Sequence, residues 1–272
     1  MVSRMINCTS ATLSIAMDKE GSERNYRGYL NDLVIEGYLY KKSIIDSTLE
    51  STGGRKIGTL FALTKSGAEV LSEMIELPKN GIYFYKEGIR AKSPFGFTHR
   101  ALLIEVIAEF FRLEKQGKIE ILDLIPEFQK EGASRLGTSK ATSKVAVENG
   151  FVVPDALIRL RIGEKVRVIA LELHRTTSTT HINEQLVKHA EAMKKGLFSE
   201  YFEEDSTSFL CSIHARETTL KNTIKLIREG KFPNFDTYSN GYHFTTVSDI
   251  RENGITNAFF HANGEKSRLF NI

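Results

Sequence analysis

The stretch FVVPDALIRLRIGEKVRVIALELH, running from Phe151 to His174, constrains the fold more than any other part of the chain. Two runs rich in aliphatic and β-branched residues flank Gly163-Glu164, and glycine at the first of two central positions is what a two-residue type II′ hairpin loop requires. With that loop the register follows: Ile162 pairs with Lys165, and the ladder runs down to Asp155 opposite Glu172. Directly opposite residues share a sheet face with Cβ atoms about 5 Å apart, and like charges there are destabilising unless something neutralises them. A divalent cation would do so. Alternation sends Glu172 and His174 to one face and Leu171 and Leu173 to the other, so two carboxylates and an imidazole converge at one end of the hairpin. Carboxylate oxygens, with water and phosphate completing the shell, suit Mg²⁺ or Mn²⁺. The alternative for the same residues is a solvated sheet end whose acids face water.

A chain of 272 residues can form two domains, or one large one, without disulfide or metal staples. The net charge of +3 is a mild basic bias that identifies no partner, so local clusters carry more information. Cys8 and Cys211 form neither a metal-ligand spacing nor a disulfide framework, which points to a reducing compartment. No apolar run approaches the roughly 18 residues that span a bilayer, and the N-terminus lacks a signal-peptide core. The expectation is a cytoplasmic protein with no membrane span.

Residues 1–77 read as a separate unit. Thr9 to Met17 suits a short helix. A second helix follows Ser22, with Tyr26, Leu30, Leu33 and Val34 at helical spacing and Arg24, Arg27 and Asn31 on the other face, and Gly37 ends it. Tyr38 to Ile45 and Lys56 to Leu63 are strand-like, joined by a polar loop that includes Gly53-Gly54-Arg55-Lys56, and Thr64 opens another helix. Residues 78–97 read as a connector with some packed structure. From Thr98 a long helix carries Leu103, Val106, Ile107 and Phe110 as an apolar stripe, with His99 on the same face and Glu105 and Glu109 as acids. Ile119 to Ile125 is strand-like, and Arg135 to Lys144 is a polar loop. After the hairpin, Thr176 to Thr180 reads as a turn and His181 to Lys195 as a helix bearing Lys188. Phe209 to Ile213 alternates as a buried strand, Glu217 to Arg228 is amphipathic, and Tyr242 to Val247 and Ala258 to Phe260 read as short strands.

The order helix, helix, two-stranded wing, helix, together with "EGYL…GGRK…FALTKSGAEVL", resembles winged helix-turn-helix DNA-binding domains. The resemblance implies that Arg24, Arg27 and Asn31 read base edges from the second helix and that Arg55 and Lys56 of the wing contact phosphates. The other use of these residues is a solvated helix face with a wing that mediates homodimerisation.

Residues 98–214 read α-β-β-β-α-β. With Pro154-Asp155 opening the second strand and Glu172-Leu173-His174 in the third, this resembles the PD-(D/E)xK nuclease superfamily. The fold implied for the whole chain is α+β: a winged helix at 1–77, a connector at 78–97 and a PD-(D/E)xK restriction-endonuclease-like domain at 98–272. By resemblance, Asp155 and Glu172 hold Mg²⁺ or Mn²⁺, and Glu105 on the first helix is the place from which many members add a carboxylate. His174 stands where the superfamily has lysine. It would orient a water or protonate a leaving oxygen, while Lys188 would return the missing ammonium. More narrowly, "THRALL", "VPDALIRL" and "ALELHRTT" are similar to the replication-relaxation family, which includes MOB-C type plasmid relaxases. Where that family commonly reads Glu-Leu-Asp-Arg-Gly-Thr, this chain has Glu172-Leu173-His174-Arg175-Thr176-Thr177.

The resemblance implies metal-dependent endonuclease activity, nicking DNA at a plasmid transfer or replication origin during mobilisation or conjugation, with accessory mobilisation proteins as partners. A covalent route would need a nucleophilic tyrosine. Tyr26 and Tyr29 sit at positions that also suit packing, and neither is assigned. The alternatives are a non-catalytic origin-binding regulator on a degenerate nuclease fold and a restriction-type enzyme cutting both strands as a dimer.

Overall fold

A computed structural model describes the chain except for residues 47–54, 77–81, 87, 90–93, 132–139, 149, 176, 205, 232–238, 268 and 271–272, and without the side chains of 46, 55–57, 94–95, 130–131, 140 and 239. The fold is α+β, and the chain divides into two compact units, Met1–Gln116 and Gly117–Ile272. Among the described residues no helix is long and apolar enough to cross a membrane.

In the first unit a short helix α1 (Val2–Met5) leads to α2 (Ser10–Ala16), opened by a capping box between Thr9 and Thr12. The next helix, α3 (Glu23–Ile35), follows Ser22 as its spacing predicts, although the Ser22 side chain makes no capping bond. It ends in a Schellman motif, in which the Tyr38 amide donates to the Leu33 carbonyl and the Gly37 amide to that of Val34. Gly37 takes the left-handed conformation this requires, at φ +79°. Strands β1 (Leu39–Asp46) and β2 (Arg55–Leu63) pair antiparallel from Leu39 opposite Leu63, with an irregularity at Ile44/Ile45. The Gly53-Gly54 loop lies outside the described residues. Helix α4 (Lys65–Met74) is capped by Thr64, whose hydroxyl oxygen accepts from the Gly67 amide at 3.0 Å.

The long helix α5 (Pro94–Lys115) starts earlier than its apolar stripe suggests, with proline in the first turn, where its missing N–H costs nothing. Expected to open the C-terminal domain, it packs against α1, α2 and β1 within the first unit. Its burial is also wider than a stripe. Leu103, Ile104, Val106, Ile107, Phe110 and Phe111 are all buried, each worth about 1.5–3 kcal/mol over its exposed state. The connector is packed as well: Ile82, Tyr85 and Ile89 are buried, and the Asn7 amide donates to the Tyr85 hydroxyl at 2.6 Å.

The second unit is built on a five-stranded mixed sheet. In chain order come β3 (Glu120–Pro126), a small pair β4 (Lys130–Glu131) and β5 (Lys140–Ala141), a second pair β6 (Val145–Val147) and β7 (Gly150–Val152), then β8 (Ala156–Ile162) and β9 (Lys165–His174). Helices α6 (Thr179–Lys194) and α7 (Leu197–Glu200) precede β10 (Thr207–His214), then α8 (Glu217–Arg228), β11 (Tyr242–Thr246) and α9 (Val247–Asn253). The sheet order is β11-β10-β9-β8-β3, with β3, β8 and β9 antiparallel and β9, β10 and β11 parallel. Parallel neighbours need long crossovers, and α6 and α8 supply them.

Three sequence expectations are corrected here. Val152 does not belong to the long hairpin; it ends β7, and Pro154, which cannot donate to a ladder, separates it from β8. The turn expected at 176–180 is shorter, because Ser178 caps α6 by accepting from the His181 amide at 3.4 Å. Ala258 to Phe260 is not a strand. Phe260 makes isolated bridges to Phe244 and Lys266. One face of the sheet, with Leu157, Val168, Ala170, Leu210 and Phe244, packs on Ile182 and Leu186 of α6 and Leu220 and Ile224 of α8.

Candidate functional site

The β8–β9 loop turns at Gly163 with φ +57°, and Glu164 keeps a negative φ, the combination of a type II′ turn. Ile162 pairs with Lys165 and Ala156 with Leu171. Continued one step, that ladder sets Asp155 opposite Glu172, as the sequence arithmetic requires. The ladder between β3 and β8 ends on Pro126 opposite Ala156, and the Glu127 amide then donates to the Asp155 carbonyl at 2.8 Å. Carboxylate oxygens of Glu127 and Asp155 lie within 4.8 Å of one another. Glu127, just past β3, and Asp155, just before β8, therefore form an acidic row with Glu172 of β9.

A solvated sheet end is excluded by burial: Asp155 is 7% exposed, and Glu172 and His174 are 3% exposed. Each carboxylate is held. Asp155 Oδ2 accepts from the Leu173 amide at 2.6 Å, which fixes the side chain against the neighbouring strand. Glu172 Oε1 accepts from Gln185 Nε2 at 2.7 Å, and Oε2 lies 3.0 Å from His189 Nε2. Gln185 and His189 stand one turn apart on α6, so both reach the same acid.

Burial pushes the His189 imidazole down to about 4, although the charge of Asp155 acts the other way. His189 is thus neutral at pH 7 and donates its Nε2 proton to Glu172. These two partners orient Glu172 without adding positive charge.

His174 pairs in register with His214 of β10, and their rings lie 4.8 Å apart. Burial also lowers His214, to about 4, and its Nε2 lies 3.1 Å from the Ser212 hydroxyl. Histidines held neutral in the fold but protonated near 6.5 when unfolded make the unfolded state bind more protons between those values. Stability therefore rises with pH in that window, is complete above about 6.5, and is lost as pH falls towards 4. Thermal melts should show Tm falling from pH 7 to pH 4.5, with a shallower fall in a His189→Gln chain. Equal slopes would contradict this account.

Lys188 is on the exposed side of α6, next to the residue that does reach Glu172. Glu105 is half-buried on α5 of the first unit. Arg24 and Arg27 are exposed on α3, where Arg27 pairs with Glu23 at 2.7 Å. Asn31 Oδ1 accepts from Lys41 of β1 at 2.7 Å. Arg55 and Lys56 pair through their backbones with Asp46 and Ile45, and their side chains lie outside what is described.

Sequence reasoning missed Glu127, Gln185 and His189. Glu127 follows the strand-ending Pro126, but no hairpin links β3 to β8, so its register could not be counted. Gln185 and His189 had a readable signal: two polar residues at i, i+4 beside the buried Ile182 and Leu186. Comparison of the chain with protein-family models, curated proteins and solved structures finds no match.

Proposed function

We propose that this chain is a DNA-binding, metal-dependent nickase. The observation that carries the reading is the acidic row Glu127, Asp155, Glu172, with its two buried members held by the Leu173 amide, Gln185 and His189. Carboxylate oxygens of Glu127 and Asp155 within 4.8 Å of one another are hard donors that fit Mg²⁺ or Mn²⁺, and the register brings Glu172 in beside Asp155. Such an ion would polarise a scissile phosphate and acidify a bound water. The protein's own part is positional. Asp155 and Glu172 present oxygens fixed by their hydrogen bonds, and His174 lies two residues beyond Glu172 on the same side of β9, suited to orient water or carry a proton. The strand order, an antiparallel meander continued by two parallel strands, supports a PD-(D/E)xK-like domain.

DNA binding is assigned to the first unit, read as a winged helix. Of the thirteen residues of α3 only Leu30 is buried, which leaves a helix free to enter a major groove beside the β1–β2 wing. Arg24→Ala and Arg27→Ala should each weaken DNA binding by about five- to hundredfold and lower the salt slope by about one. The Arg27–Glu23 pair is exposed and yields readily to a phosphate. Unchanged affinity in gel-shift titrations would remove α3 from the interface. An origin-like DNA site and accessory mobilisation proteins follow from the likeness to MOB-C type relaxases.

The test is conversion of supercoiled plasmid in Mn²⁺. Open-circle product is expected, and linear product at the same rate would indicate a double-strand cutter. His189→Ala or Gln185→Ala, which free Glu172 to turn, should lower nicking about 10–100-fold with unaltered DNA affinity. DNA binding without cleavage under any divalent ion would favour the second reading, an origin-binding regulator, for which His174 in the usual lysine position is the supporting feature.

A further inference from the structure

A second polar concavity lies on the other face of the same sheet. The register pairs Leu171 with Cys211 and Cys211 with His243, while Glu172 pairs with Ser212 and Ser212 with Phe244. His243 therefore projects from the face opposite Glu172. There Arg167, Phe209, His243, His261 and Lys266 line a cavity of about 890 Å³, a volume typical of sites for small organic ligands.

Three features of this cavity point to an anion. First, neither cation is spent on a carboxylate among the described residues. Arg167 donates to the Leu269 carbonyl and stacks over Phe209 with its guanidinium carbon 5.4 Å from the ring centre, and Lys266 Nζ donates to Asn257 Oδ1 at 3.2 Å. Second, His243 is only 2% exposed, and its Nε2 has no hydrogen-bond partner among the described residues. Its Nδ1 lies 2.6 Å from the Ser267 hydroxyl, which already accepts from the Leu269 amide at 3.1 Å. The hydroxyl proton is thus best used towards Nδ1, which leaves the ring proton on Nε2 as a donor. Third, burial foremost, then His261 and Arg167, push His243 down to about 3, so it is a neutral donor in a positive field. Among the described residues Glu265 is the one carboxylate on the lining, and it leaves the two cations in excess.

We propose that this cavity binds a small phosphate-bearing molecule, with Arg167 and Lys266 supplying charge and His243 Nε2–H a hydrogen bond to a phosphate oxygen. A guanidinium fork and an ammonium match a dianionic phosphate better than a carboxylate. Phe209, between Arg167 and His243, offers a ring edge to the organic part.

Calorimetry on the full chain in chloride buffer tests this with three probes: inorganic phosphate, adenosine 5′-monophosphate and adenosine. Saturable binding of both phosphates and none of adenosine is expected, with tighter binding of the monophosphate showing that the organic part is also held. Arg167→Gln should weaken phosphate binding by about tenfold or more. Lys266→Ala, which removes an exposed side chain, should weaken it about threefold. Absence of phosphate binding at tens of millimolar, adenosine binding as tightly as its monophosphate, or unchanged affinity in both variants would overturn the proposal. None of these readouts involves DNA or a divalent ion, so they stand or fall apart from the nickase reading.

Discussion

In a Glu172→Ala chain, nicking of supercoiled plasmid is expected to fall by about a thousandfold or more, with gel-shift affinity for DNA unchanged. The loss follows from where Glu172 sits. It is the buried acid whose two oxygens meet Gln185 and His189, so no neighbouring side chain can take over its geometry. The alanine also strands the buried His189 donor, which costs about 1–3 kcal/mol when left without an acceptor, and releases the half-buried Gln185 amide. Glu172→Gln therefore belongs beside it: the amide keeps one acceptor oxygen and most of the volume but loses the charge. If both variants remain folded by circular dichroism and both stop nicking, charge at this position is what the reaction needs. Retention of most activity in Glu172→Gln would detach the site from catalysis.

Gly67→Ala is expected to destabilise the first unit by about 3 kcal/mol, the upper end for overpacking of a well-packed site. A Cβ at this position would stand 2.1 Å from the Tyr38 carbonyl oxygen and 3.1 Å from a Leu63 methyl. The nearest obstacle is backbone, not the end of a flexible side chain. That same carbonyl accepts from the Thr64 amide at 3.1 Å and is tied to the start of α4, so it cannot retreat without breaking the cap. A chemical-denaturation midpoint unchanged from wild type would contradict this packing. The contact also explains why glycine stands three residues after the capping threonine in LTKSG: the helix begins against the chain that enters the wing.

What the sequence made legible was local. Gly163-Glu164 and alternation were enough for the β8–β9 register, and with it the facing of Asp155 and Glu172. The ends of α2, α3 and α8 were readable from Thr9, Gly37 and the amphipathic run Glu217–Arg228. Features that depend on distant packing were not. The breadth of burial on α5 depends on what surrounds it, and a helical pattern reports only one stripe. Glu127 joins the acidic row through pairing between strands separated by a long insertion, so no turn fixed its position in advance. Lys188 was favoured for its charge, yet on α6 the neighbouring His189 faces the sheet, a matter of helix phase fixed by Ile182 and Leu186.

The most direct measurement is Mn²⁺ binding by calorimetry to wild type and to Glu172→Ala, with and without DNA. Uptake by wild type that disappears in the variant is the expected result. No uptake by wild type even with DNA present, or equal uptake by both chains, would contradict it.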